Sequence, residues 1–249
     1  MKKLIFSLLG ISLSIALSAQ TLSALDIVKK ADSKMRGESS YSEMTMIIVR
    51  PTWQRSISMK AWTKGKDFAL IKITEPAKDK GTGFLKRNNE LWNWIPSIDR
   101  LIKMSSSVMG QSWMGSDFTN DDMVRESSLV TDYTQKIVGE ETVRGFDCYK
   151  IELTPLPNAA VVWGKVVTWI EKGTFNFIRT ENLDEQFNLA QTMENYDFKQ
   201  FGDRLLPSRM EMTPAAGKGQ KTVITVSKAQ YNIPIKESFF SQQNLKTIQ

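Results

Sequence analysis

From Gly37 onward the chain changes its hydrophobic period from 3.6 to two and, with one interruption, keeps it. Alternation at that period marks strands with one face buried. It is read at 41–50 around Met44, Met46 and Ile48, and at 55–64 and 67–74 as a hairpin turning at Lys64-Gly65-Lys66. Two more strands meet near Asn88-Asn89, IDRLIKM supplies another, and the rest are expected at 133–138, 146–154, 161–171, 174–183, 189–200, 203–212 and 220–231. The breaks carry turn formers: Gly139-Glu140-Glu141, Pro155-Leu156-Pro157, Lys172-Gly173, Asp184-Glu185, Gly202-Asp203 and Pro214 to Gly219. Connections this short dictate an antiparallel meander, since parallel neighbours need a crossover of a dozen residues or more. A sheet of that many strands must curl to hide its apolar face. The expected fold class is therefore mainly β (α+β).

Two helices frame the sheet. In TLSALDIVKKADSKMRG, Ser23 and Asp26 have capping-box spacing, Ile27, Val28, Ala31 and Met35 share a face, and Gly37 stops the run. Such a helix either packs on the sheet or moves as a lid. A short helix is also expected near Glu237 to Leu245. No repeat, low-complexity tract or linker divides the chain, so residues 20–249 form one expected domain.

Residues 1–19 read as a cleaved secretory signal: two lysines, an apolar run from Leu4 to Leu17, and Ser18-Ala19 before Gln20. The run is shorter than the ~20 residues that span a bilayer. The expected mature protein is exported, soluble and periplasmic, not membrane-spanning. Removing Lys2 and Lys3 lowers the net charge from +6 to about +4, with no basic block of the kind that binds nucleic acid.

The chain has no histidine, which excludes Ser-His-Asp and Cys-His nucleophiles and His-containing metal sites. Its one cysteine, Cys148, cannot form an internal disulfide and reads as a buried apolar residue of a strand. Glu140-Glu141 and Asp184-Glu185 fall at turns, where solvated charge is ordinary. No enzyme, cofactor or metal site is expected.

The interruption is MSSSVMGQSWMGSDFTNDDM, residues 104–123. Met104, Met109, Met114 and Met123 adapt to irregular apolar shapes, and Ser105 to Ser107, Gly110 and Gly115 keep the backbone free to move. A cover over lipid needs such residues; a loop plugging a core uses them equally well. The acidic end suggests calcium, but it lacks the glycine and the terminal Glu of an EF-hand loop. Thr119 and Asp122 have instead the spacing of a helix start. Large apolar groups recur on the strands, and one helix plus a short segment cannot cover ten or more of them. The sheet thus closes on its own side chains or stays open around a cavity.

GTGFL (81–85), ELWNWIPSIDRLIKM (90–104), QSWMGSDFTNDDM (111–123), VRGFDCYKIELTP (143–155), WIEKGTFNFIRTE (169–181) and RLLPSRMEM (204–212) together resemble the outer-membrane lipoprotein-sorting protein family, related to the carriers LolA and LolB. The resemblance implies an incomplete antiparallel β-barrel, covered by the N-terminal helix and a helical or irregular lid segment, around an apolar cavity. It implies a periplasmic carrier or chaperone that takes the acyl chains of lipoproteins or lipids from an inner-membrane transporter to an outer-membrane acceptor. LolA-type carriers use an arginine on an early strand; the matching stretch here, KAWTKGKDFALIKI, offers Lys60, Lys64 and Lys66 instead. The expected cavity lining is Trp62, Phe68, Leu70, Trp92, Trp94, Met109, Trp113, Met114 and Phe118. The alternative is a non-catalytic binding or assembly module, taking a partner protein or a glycan beside an exporter.

Overall fold

The computed structural model describes residues 22–88, 90–125 and 128–248; the signal segment lies outside them. Helix α1 (Ala24–Arg36) opens the described chain. Its capping box forms as the spacing requires, with Ser23 Oγ accepting the Asp26 N–H at 3.1 Å and Asp26 Oδ2 accepting the Ser23 N–H at 3.3 Å. Six strands then run β1 (Ser39–Arg50), β2 (Trp53–Lys64), β3 (Phe68–Glu75), β4 (Gly83–Arg87), β5 (Glu90–Ile95) and β6 (Arg100–Met104). After the segment 105–132 come β7 (Tyr133–Val143), β8 (Phe146–Pro155), β9 (Lys165–Glu171), β10 (Phe177–Leu183), β11 (Leu189–Phe201), β12 (Arg204–Pro214) and β13 (Lys221–Tyr231). Helix α2 (Gln242–Thr247) ends the chain.

All 13 strands form one sheet in the order β6-β5-β4-β3-β2-β1-β13-β12-β11-β10-β9-β8-β7. Every pairing is antiparallel and nearly every neighbour is a sequential hairpin. The one long-range pairing, β1 with β13, joins the two halves. β6 and β7 are free edges, so the sheet stays open. It is nonetheless strongly curved: one apolar cluster takes side chains from β1 to β5 and from β11 to β13, which a flat sheet with strands ~4.8 Å apart would hold too far apart.

Three strand boundaries depart from expectation; one is that β10 starts at Phe177, with 174–176 still in the turn. Gly139-Glu140-Glu141 is not a break: β7 runs through it, and a bulge between Ile137 and Gly139 absorbs the irregularity. The turn falls at Arg144-Gly145, both at positive φ. Residues 161–164 are not strand either. Gly164 passes so close to the β10–β11 turn that a Cβ would lie 2.4 Å from the Asp184 carbonyl, which excludes regular pairing with a side chain there.

Both faces of the sheet are covered. On the concave face α1 buries Ile27, Val28 and Ala31 against Tyr133, Ile151, Leu153, Val166 and Ile170. Arg204 donates to the carbonyls of Ser33 and Lys34 at its C-terminal end. On the convex face α2 seats Leu245 over Gly83, where any Cβ would come within 2.6 Å of the leucine side chain. Lys72, buried beside it, donates to the carbonyls of Leu245 at 2.7 Å and Lys246 at 3.3 Å, and loss of hydration lowers its pKa.

Cys148 is fully buried on the convex side with Val143, Trp169 and Ile178, and burial pushes its thiol up to about 11. A thiol so placed is neither ionised nor reachable. Native protein at pH 8 should react with an aromatic disulfide reagent at least ~100-fold more slowly than protein in denaturant, read as thiolate release against time.

Candidate functional site

The segment 105–132 leaves the bottom of β6, turns into the concavity, and returns to the start of β7. Its core is a small hairpin. Ser112 and Thr119 form an isolated bridge, the Trp113 N–H donates to Phe118 O at 2.8 Å, and Met114 and Gly115 make the tip, both at positive φ. Beyond it Thr119 and Asp122 cap one turn of helix, Asp121–Arg125: the Asp122 N–H donates to Thr119 Oγ1 at 3.0 Å and the Thr119 N–H to Asp122 Oδ2 at 2.7 Å. The acidic run is thus a helix start, as its spacing requires. Among the described residues no group of three or more metal-ligating side chains converges.

This hairpin fills the concavity instead of roofing it. Trp113 is fully buried, its ring 5.2 Å from that of Phe84, and Met109 and Phe118 are buried beside it. Around them lie Ile48, Ile57, Ile71, Ile73 and Ile224. The same cluster gathers Met44, Met46, Met59, Met104, Met109, Met114, Met123, Met193, Met210 and Met212, ten of the 12 methionines of the chain. Six separate pieces of sequence contribute them. Towards α1 the concave face turns polar, with Thr168 and Thr180 buried and hydrogen-bonded at 3.1 Å and Asn195 buried on β11.

The segment is tied down by charge. Arg50, the last residue of β1, makes a two-pronged pair with Asp117, Nη1 to Oδ2 and Nη2 to Oδ1, both 3.0 Å. Nη2 also donates to Gly115 O at 3.0 Å, and Thr222 Oγ1 donates to Asp117 at 2.6 Å. Arg55, across the β1–β2 turn, donates to Met114 O at 3.2 Å and pairs with Asp79 at 2.6 Å. The side chains of Arg50 and Asp117 are only 14% and 7% exposed, so this pair is strong by geometry and severely missed if half of it is removed. Neither arginine was read as functional from the sequence. Arg50 and Asp117 are 67 positions apart and nothing local connects them; the one hint was an arginine on each side of a proline turn.

Two features work against the seated segment. The indole N–H of buried Trp113 finds no acceptor among the described residues. Asp122 is accessible in part, but burial of its carboxyl, the largest influence, pushes it up to about 6, with Asp121 adding repulsion against the hydrogen bonds from Thr119.

The nine expected lining residues occupy opposite faces. Met109, Trp113, Met114 and Phe118 lie in the concave cluster. Trp62, Phe68, Leu70, Trp92 and Trp94 point to the convex side and pack with Phe239, Phe240 and Leu245 of the C-terminal stretch. Strand alternation is the reason: Leu70 and Ile71, or Phe84 and Leu85, are consecutive and buried on different sides. The five convex residues do not share a surface with the four concave ones. Nor do they form an open platform, since Trp94 is buried and Lys246 lies 4.8 Å above its ring. A groove of about 750 Å³ runs next to them on the convex face, lined by Lys60, Lys72, Lys80 and Lys246 with Glu43 and Glu75. Its lining mixes these charges with Trp94, Pro96 and Ile248.

The open, curved meander is a LolA-like fold. The chain superposes on a DUF1329 family protein from Desulfovibrio piger with a TM-score of 0.81 at 26% identity, covering 89% of this chain and 97% of that one. A LolA superfamily protein from Nitrosomonas europaea gives 0.78 at 22%, covering 90% and 100%, and an outer membrane lipoprotein-sorting domain from Vibrio parahaemolyticus 0.77 at 23%, covering 90% and 98%. At these identities the last two speak for the fold. No curated protein matches the sequence. A family model described only as a “-like” uncharacterized protein matches residues 65–247, and the chain belongs to that family.

Replacing Asp122 by Asn keeps an acceptor for the Thr119 N–H and removes the titration. A carboxyl whose folded pKa is raised stabilises the fold most below its unfolded pKa near 3.8, and that contribution is lost as pH rises through about 6. Asp122→Asn should therefore be more stable than wild type at pH 7, by about 1–2 kcal/mol after allowing for partial exposure. Its melting temperature should depend less on pH between 4 and 6, as read by circular dichroism.

Proposed function

We propose that this chain is a periplasmic carrier that takes acyl chains of lipoproteins or lipids onto its methionine-lined concave face, in place of the 105–132 hairpin, and conveys them toward the outer membrane. The observation that carries this reading is the gathering of seven methionines from five strands onto one face, beneath a cover that is not part of the sheet and brings three more. A fixed core is better specified by branched side chains with defined rotamers. Unbranched thioethers suit a surface that must pack against more than one partner shape.

In the seated state the hairpin acts as surrogate cargo. Moving Trp113, Phe118 and Met109 into water costs about 2–3 kcal/mol each, roughly 6–9 together, whereas one sixteen-carbon chain gains about 12 on burial. Hydrocarbon entering as the hairpin leaves therefore more than offsets the exposure. Arg50 and Arg55 set the remaining barrier. They hold the hairpin at its tip, so releasing two arginines frees Met114 to Asp117 while Met104 and Leu129 remain as hinges at either end. Arg50, which closes β1, fills the role for which the lysines of the following strands offered no candidate. Donor and acceptor would be an inner-membrane transporter and an outer-membrane acceptor, and α1, held by its own apolar face and by Arg204, stays in place.

Protein purified without detergent, extracted into organic solvent and analysed by mass spectrometry should release fatty-acyl lipid in a fixed molar ratio. Arg50→Gln, which leaves Asp117 buried with only Thr222, should lower stability by about 3 kcal/mol and speed the uptake of a fluorescent fatty acid several-fold. Folded wild-type protein that neither carries lipid nor takes up the probe would sink this reading.

A further inference from the structure

The two ends of the sheet differ in what they offer to solvent. Antiparallel register places the β1–β2, β3–β4, β5–β6, β8–β9, β10–β11 and β12–β13 turns at one end. Five of the large apolar side chains described as exposed stand on or directly beside these turns: Trp53 (51%), Ile98 (59%), Leu156, Phe187 (58%) and Leu189. Among the described residues the turns at the opposite end carry none; the other four, Ile102 on β6, Ile137 and Val138 on β7 and Leu205 on β12, stand on strands. The tip of the hairpin, Met114 to Asp117, emerges at the same end, beside Arg50 and Arg55.

We infer that this rim docks on an anionic lipid surface, inserting its turn tips between headgroups. The five apolar groups are spread over four separate turns around a curved rim, with only Phe187 and Leu189 sharing one, whereas a protein interface buries a contiguous, closely packed centre. Isolated tips find no fixed complement on a rigid partner, but fluid acyl chains close around each of them. The chemistry at the tips is interfacial. Arg50 lies 5.9 Å from the centre of the Trp53 ring and Lys165 4.9 Å from that of Phe187, each pairing an aromatic with a cation at headgroup depth. Lys78, Lys80 and Lys218 occupy neighbouring turns at this end. Two of its acids are engaged within the fold: Asp79 pairs with Arg55, and Asp184 accepts the backbone N–H groups of Gln186 and Asn188. Docked this way, the rim puts the exit of the concave face against the bilayer.

The test is co-sedimentation with vesicles of phosphatidylcholine containing about a quarter phosphatidylglycerol, at low and high salt. Wild type should bind, less so at high salt. The pair Trp53→Ser with Phe187→Ser and the separate pair Ile98→Ser with Leu156→Ser should each lower the partition coefficient about tenfold or more, with unchanged melting because all four are exposed. Leu205→Ser, away from this rim, should bind as wild type does. The inference is overturned if wild type ignores the vesicles, which would leave the rim to a protein partner, if neither pair weakens binding, or if Leu205→Ser weakens it as much. Docking needs no occupied interior. A chain that binds vesicles yet holds no lipid retains this inference and loses the carrier reading, and the opposite result separates the two the other way.

Discussion

The structure depends on a sheet that does not close. Thirteen strands are more than enough for a barrel, yet β6 and β7 are the sheet's free edges; they run in the same direction, so no turn can join them and the chain between must cross from one end of the sheet to the other. Threading the segment through the concavity makes the gap permanent and supplies the matter that fills it. The exposed edges are managed by ordinary means: β6 is short, and β7 carries a bulge at its centre with Lys136, Glu140 and Glu141 along it.

Much of this was legible, because it is written in local patterns. The period-two runs gave strands to within a few residues, and Ser23 with Asp26 and Thr119 with Asp122 marked two helix starts whose caps form as spaced. The bulged passage through Gly139 was not, since a glycine flanked by acids reads alike as a turn and as an edge-strand irregularity. Side-chain direction was the larger failure. On β2 to β5 both faces are buried, one by the hairpin and one by the C-terminal stretch, so alternation between apolar and polar, the only sequence signal for direction, is missing there. Trp62 and Trp94 were accordingly placed on the wrong side of the sheet from Trp113. The methionine surface was hidden for a different reason. Each strand contributes one or two methionines, unremarkable in place, and only the curl brings them together.

The hairpin is held less firmly than a core of equal size. Its apolar contacts are good, but the unpaired Trp113 N–H and the raised Asp122 carboxyl each subtract from them, and the polar clamp is concentrated at the tip. An unpaired buried N–H costs roughly 1–3 kcal/mol, comparable to burying one further apolar side chain. Evolution under stability alone would remove such defects cheaply, for instance with an acceptor near the indole. In a cover that must yield to hydrocarbon they have a use, because they bring the free energy of the seated hairpin down towards that of the cargo competing for its place.

A carrier that works by exchange takes its direction from what it meets. What it contributes is a near-balanced exchange. On the carrier reading, a single acyl chain and the hairpin would compete for the same methionine surface with free energies that differ by a few kcal/mol, and such a balance would be tipped by whatever else touches the hairpin tip. Arg50, Arg55, Met114 and Asp117 are all at one end of the sheet, within reach of any surface that meets that end. On the same reading, a partner or headgroup phosphate that draws Arg50 away from Asp117 would open the concavity, and one that restores the pair would re-seat the hairpin and expel the chain. Loading and unloading then need no difference in the carrier, only a difference in what it meets at its rim.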